Sequence, residues 1–300
     1  MKKRGIILIS SLVLIGGILG IVRLIQQTTP LTPKPSTTRH VQKKKEAKKV
    51  IKKNKPTAKK NTKQEEIAQI QWQKQSQPIA VPILMYHSIR RVDNNSLCVP
   101  PEIFEQQMKW LKDNGYYTLT APEVYRILTT NEVPSQKFVW ITLDDGYVDN
   151  YTQAYPIFQK YQLKATINLI TQAINTNGML SLNQIKEMQA SGLVEYGSHT
   201  ITHRELNTLT ATQQLQEMTG SKQWLEANLG QKIIYLCYPV GRFNNQSLLA
   251  AKQAGYLLAT TTQPGVAWSQ NPSNLYQLKR LRITPNLSLQ QYSQLLQQGR

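Results

Sequence analysis

Lys137-Phe138-Val139-Trp140-Ile141-Thr142-Leu143-Asp144-Asp145-Gly146 is a β-forming run that ends abruptly in two carboxylates and a glycine. Its β-branched and aromatic residues favour extended chain, and Gly146 marks the place where the chain turns. The period then changes. Tyr151, Ala154, Tyr155 and Phe158 recur at helical spacing over 150–161, and Lys164–Ile170 is again a β-forming run. Strand, helix and strand in about thirty residues make one βαβ unit, whose two strands lie parallel.

The alternation extends both ways. Upstream, Val81–Tyr86 reads as a buried strand, and Ile103, Phe104, Met108 and Leu111 mark a helix stopped by Gly115. A strand is expected at Tyr116–Leu119, and Thr120 with Glu123 forms a capping box for the next helix, with Pro122 in its first turn. Downstream, Ser181 and Gln184 cap a helix that ends at Gly192, before a strand at Leu193–Tyr196. A helix over Thr210–Leu229 and strands at Ile233–Cys237, Tyr256–Thr260 and Lys279–Ile283 follow. Gly255 ends a helix around Leu248–Ala254, and a last helix starts at Ser288. Seven or eight such units predict an α/β architecture, closed into a barrel rather than left as an open sheet.

The N-terminal quarter has another texture. Lys2-Lys3-Arg4 precedes Gly5–Val22, a stretch without a charge, and Arg23 follows without a small-residue cleavage site. That length just crosses a bilayer, and positive residues before it favour a cytoplasmic N-terminus. Residues 1–27 are therefore expected to be an uncleaved signal anchor, with the rest of the chain outside the membrane and secreted if cleavage occurs. Residues 28–78 carry fourteen lysines and arginines against three glutamates, so their net charge is +11 of the chain's +19. Rich in Lys, Pro, Thr and Gln, this segment cannot bury enough apolar surface to fold and is expected to be a disordered basic linker. It suits anionic lipids or anionic wall polymers as partners, or serves only as a soluble tether. Residues 79–300 retain only +4 of the total, which removes the case for a nucleic-acid-binding domain. Cys98 and Cys237 make no disulfide framework; two small buried thiols are expected, and a single bridge stays open.

Four groups of residues carry chemistry. Asp144-Asp145-Gly146 can be an ordinary turn, or it can divide labour, with one carboxylate on a metal and the other free as a base. His199 and His203 are half of the four histidines in the chain, and their i, i+4 spacing puts both on one face of a helical turn. With Asp145 they would form an Asp-His-His triad that leaves a position for water, as catalytic metal sites do. Tyr238-Pro239-Val240-Gly241 follows a strand and is by itself an ordinary turn. His87 ends the first strand, where a lone histidine is more often structural. All four lie just past the C-terminal end of an expected strand, the rim on which α/β barrels build their sites.

At these residues the sequence resembles the polysaccharide deacetylases, the NodB-homology domain of carbohydrate esterase family 4. The first family motif appears as Thr142-Leu143-Asp144-Asp145-Gly146 and the second as His199-Thr200-Ile201-Thr202-His203. The resemblance spans Val81 to Leu287 and implies an irregular (β/α)7-type barrel. It implies Asp145, His199 and His203 as ligands of a divalent metal, with Zn²⁺ expected, and Asp144 as general base. The position where the family places an arginine that steadies the base is Cys237 here, and Arg280 is the candidate to replace it. The family's late Leu-x-His motif is also absent. Val81–His87 resembles instead the opening strand of the circularly permuted branch, which includes the poly-β-1,6-N-acetylglucosamine deacetylases, and this makes His87 the general acid. Tyr238 and Pro239 would serve the oxyanion and substrate, the former through its backbone N–H. Tyr147, Tyr238 and Trp268 could line a sugar groove or lie in the core.

The function expected is metal-dependent removal of N-acetyl groups from an N-acetylglucosamine-containing polysaccharide at the cell surface, with poly-β-1,6-N-acetylglucosamine as first candidate. Peptidoglycan and chitooligosaccharides are the competing substrates. A catalytically inactive glycan-binding module is the competing class, although binding alone needs no spare base beside a metal site.

Overall fold

The computed structural model describes residues 71–134, 137–271 and 274–297. The apolar span Gly5–Val22 and residues 28–70 of the basic segment lie outside the described residues. Among the described residues, no helix is long and apolar enough to cross a membrane.

The strands are β1 (Trp72–Lys74), β2 (Ala80–Val81), β3 (Ile83–Tyr86), β4 (Tyr116–Thr118), β5 (Glu132–Pro134), β6 (Lys137–Asp145), β7 (Ala165–Leu169), β8 (Val194–Ser198), β9 (Tyr235–Cys237), β10 (Leu258–Pro264), β11 (Ala267–Trp268) and β12 (Leu278–Arg282). The helices are α1 (Pro101–Asp113), α2 (Ala121–Thr130), α3 (Tyr155–Tyr161), α4 (Leu182–Ala190), α5 (Ala211–Leu229), α6 (Asn245–Gln253) and α7 (Leu289–Leu296). Capping boxes open α2, α4, α5, α6 and α7 by satisfying free N–H groups of the first turn.

Strands β3, β12, β10, β9, β8, β7 and β6 pair in that order, and β6 pairs back onto β3. Seven parallel strands thus close on themselves, and β4 is added outside on the first residues of β6. The strand alternation of β6 explains the layering. Val139, Ile141 and Leu143 face the helices, while Trp140 packs inside against Tyr235, with ring centroids 4.5 Å apart. The lower interior is an apolar plug that includes Ile83, Trp140, Leu258 and Leu278. Above it come Thr142, Asp144, Asn168 and Arg280, all buried. Charge is therefore concentrated toward the C-terminal rim.

The structure departs from expectation in four places. Residues 71–78, read as linker, belong to the fold: β1 pairs antiparallel with β5, and the Trp72 ring lies under Arg126 at 4.2 Å. The helix expected over 150–161 starts as a π-turn at Asn150–Ala154 before α3. Pro156 sits in the first turn of α3, and its missing N–H prevents the regular bonding that would run back into that turn. Pro82 divides the expected first strand into β2 and β3, and β2 pairs separately with β11. Strand β10 runs on through Pro264, with a register shift against β12. Both cysteines are buried and free.

Candidate active site

Residues neighbouring in a strand point to opposite faces, so Asp144 and Asp145 would normally diverge. Asp144 points into the barrel. Asp145, the last residue of β6, has φ +77°, and Gly146 follows at +81°. This left-handed pair ends the strand and brings the second carboxylate back over the rim beside the first. A Cβ on Gly146 would approach Leu169 Cδ2 at 2.8 Å, so the turn also needs glycine for space.

Arg280 holds the Asp144 carboxylate like a fork. Its Nη1 donates to Oδ1 at 2.8 Å and its Nη2 to Oδ2 at 2.7 Å. The remaining N–H groups go to Thr261 O, Thr142 Oγ1 and Cys237 Sγ, so all five donors are used. Asn168 Nδ2 adds a third bond to Oδ1 at 2.7 Å and also reaches the Tyr235 hydroxyl at 3.2 Å. Burial is the largest single influence and would raise the Asp144 carboxyl, but the Arg280 charge and hydrogen bonds, with His87 and His199, together outweigh it and hold the group well below the usual carboxylate range. Asp144 is thus an oriented anion. Gly197 makes room for the arrangement, since a Cβ there would lie 2.5 Å from both Asn168 Oδ1 and Tyr235 Cδ1.

Asp145, His199 and His203 converge on the other side of the rim. Asp145 Oδ1 lies 3.4 Å from His199 Nε2 and 3.5 Å from His203 Nε2. Ligands about 2.0 Å from a tetrahedral ion stand about 3.3 Å apart, so this spacing suits a small divalent cation. His199 Nδ1 donates to Cys237 O at 2.7 Å, which turns the Nε2 lone pair toward the other two groups. The donor set, one carboxylate and two imidazoles, fits a metal.

The histidines are not on a helical turn. His199 follows β8 directly, and Thr200 and His203 take φ values of +67° and +60° in a loop. Two left-handed residues fold this loop back so that positions 199 and 203 meet. Glu217 of α5 fastens it, accepting from the N–H groups of Ile201 and Thr202, each at 2.9 Å.

His87 Nε2 lies 3.7 Å from Asp144 Oδ2, the oxygen that also accepts from Arg280 Nη2. Burial lowers the His87 imidazole, and the charges of Asp144 and Asp145 offset this only in part. Its loop is latched from the segment after β6. Asn150 Nδ2 donates to His87 O at 2.9 Å, while Asp149 accepts from Ser88 Oγ at 2.6 Å and Ile89 N at 2.9 Å.

His87, Asp144, Asp145, His199 and His203 line a cleft of about 270 Å³ that also includes Tyr238, Val240, Thr262 and Arg282. Two expectations for the turn after β9 are not met. The Tyr238 N–H donates to Thr260 O at 3.1 Å in the sheet, so it is not free for an oxyanion. Pro239 is buried and does not line the cleft; it shapes the turn. Val240 does line it, in a left-handed conformation (φ +54°) that a β-branched residue rarely takes. Four of the nine described non-glycine residues with positive φ, Asp145, Thr200, His203 and Val240, are thus at or beside the cleft, which locates the backbone strain there. Trp268 lines a separate groove with Gly265 and Lys279. Asn168, Asp149 and Glu217 carry no motif and were not anticipated.

The chain is similar to known proteins in sequence and in fold. The polysaccharide deacetylase family profile matches residues 131–259. YxkH of Bacillus subtilis, named as a candidate polysaccharide deacetylase, is 46% identical over 217 residues, 72% of this chain and 76% of that one. A poly-β-1,6-N-acetyl-D-glucosamine N-deacetylase of Staphylococcus aureus is 29% identical over 189 residues, 58% of this chain and 63% of its own. Among solved structures, the Streptococcus pyogenes deacetylase PplD, in complex with acetate, matches with a TM-score of 0.70 and 41% identity, covering 74% of this chain and 100% of that one.

Proposed function

The chain belongs to the polysaccharide deacetylase family, and on that premise we propose that it hydrolyses the acetamides of N-acetylglucosamine units in a poly-β-1,6-linked polymer at the cell surface. One observation carries the chemistry. An oriented carboxylate, Asp144, is held by Arg280 beside three groups, Asp145, His199 and His203, whose spacing fits a divalent ion.

We assign Asp145, His199 and His203 to hold that ion, with Zn²⁺ as the metal. When bound it supplies Lewis-acid polarisation and lowers the pKa of water. Asp144 takes the proton of the water that attacks the acetamide carbon. His87, across the cleft, gives a proton to the departing nitrogen as the C–N bond breaks, leaving acetate and a free amine. Val240 lines the cleft, and its N–H takes the place of that of Tyr238 as the peptide donor to the carbonyl oxygen.

Two observations support the polymer named. His87 directly follows the opening barrel strand, and the relative from Staphylococcus aureus is named for that substrate. A place outside the cytoplasm is supported by the cationic flank and apolar span of residues 2–22, and the basic segment after it suits anionic lipids or wall polymers. The test compares acetate release from poly-β-1,6-N-acetylglucosamine with release from purified peptidoglycan and chitooligosaccharides at equal acetamide concentration. The proposal predicts the highest kcat/KM on the β-1,6 polymer. A higher value on peptidoglycan would reassign the substrate while leaving the chemistry intact.

A further inference from the structure

The reaction cleft is small for a polymer, and a larger concavity lies beside it. A polar groove of about 810 Å³ lies between residues 91–96, after β3, and 284–286, after β12. These strands are neighbours in the barrel, so the groove opens on the same rim as the cleft of about 270 Å³. The two are joined through one side chain: Arg282 lines the cleft and donates from Nη2 to Ser96 Oγ, a groove residue, at 3.0 Å.

We propose that this groove binds the amino-sugar units next to the one being deacetylated, an inference that rests on the deacetylase reading above. Its wall is built in advance. Ser88 N donates to Leu97 O at 3.2 Å, Val99 N to Ser88 O at 3.0 Å and Leu97 N to Asn95 Oδ1 at 3.0 Å, so the loop does not have to order itself on binding. Asn94, Ser96, Thr284 and Asn286 present amides and hydroxyls, the groups that recognise sugar hydroxyls and acetamides. The charges select the ligand class. Arg91 pairs with Glu102 at one side of the groove, and Arg282, bonded to Ser96, offsets Asp93, so the groove carries no net charge. With no surplus charge to attract a charged ligand, the groove suits neutral N-acetylglucosamine units, which it can bind through amides and hydroxyls.

The test measures kcat/KM of the full chain on a dimer and a pentamer of β-1,6-linked N-acetylglucosamine, for wild type, Asn286→Ala and Asn286→Trp. The wild type is expected to favour the pentamer. Its pentamer-to-dimer ratio should fall about fivefold or more when Trp fills the groove, and by about twofold when Ala removes the amide, with the loss carried by KM. Should the Trp variant not fold, the Ala ratio decides. A wild-type ratio near one, or a ratio unmoved in the folded variants, overturns the groove while leaving the deacetylase reading standing. A wild type that releases no acetate at either length instead overturns that reading, and the groove with it.

Discussion

Arg280 is fully buried, and every N–H it owns is committed, two of them to Asp144. Removing it leaves a buried carboxylate without its counter-charge, which costs about 3–5 kcal/mol in comparable pairs. Arg280→Gln is therefore expected to lower unfolding free energy by about that amount in urea titrations and to cut deacetylation at least tenfold (about 1.4 kcal/mol in the barrier). A variant of wild-type stability would show that the pair contributes nothing net. The need for such a residue was legible in the sequence, because Cys237 occupies the position where the resemblance calls for an arginine. Asn168 was not legible. In Ala165-Thr166-Ile167-Asn168-Leu169 the polar residues alternate as they would on a water-facing side. Period two reveals that one face is polar, not that the polar face is the inside of a closed barrel. Val240 lies in the Tyr238–Gly241 turn read from the sequence, but its own place at the cleft shows only in a backbone angle.

Elements were readable where hydrophobic period and caps agree. The strand at β6 and the helices α2, α4 and α5 fall within a few residues of the spans expected from their runs and capping boxes. The short strands β1, β5 and β11 were not read, since two or three residues carry no period and their pairing is settled by the tertiary fold. The i, i+4 histidine spacing suggested a helix, yet the same spacing is met by a loop with two left-handed residues. One tie between elements is pH-sensitive. Glu195 Oε1 on β8 accepts from Ala121 N, at the start of α2, at 2.5 Å and from Thr166 Oγ1 at 2.7 Å. Burial nevertheless pushes its carboxyl up to about 7. Unfolded, it would titrate near 4.3. Between those values the native state holds a proton that the unfolded chain has lost, so stability falls as pH rises through the window and levels off above it. Urea unfolding should show the wild type losing about 2 kcal/mol more than Glu195→Gln between pH 5 and pH 8. Equal losses in the two proteins would remove Glu195 as the cause.

At the scale of the molecule, seven parallel strands close so that separated segments, after β3, β6, β8 and β9, deliver side chains to one rim. The count of strand–helix units made the barrel legible, while its closure through β6 and β3 depends on register, which periodicity does not encode. The central claim is that this rim deacetylates amino-sugar polymer with Asp144 as base beside a metal held by Asp145, His199 and His203. It is tested most directly by acetate release from β-1,6-linked N-acetylglucosamine oligomers by the untreated chain, after chelation, after Zn²⁺ is returned, and in Asp144→Asn and Asp145→Asn. The account predicts that chelation abolishes release and Zn²⁺ restores it. Asp144→Asn should lose about 10²–10⁴-fold in kcat, and Asp145→Asn should no longer recover with Zn²⁺ at concentrations that restore the wild type. Release that survives chelation and is undiminished in both variants would contradict it.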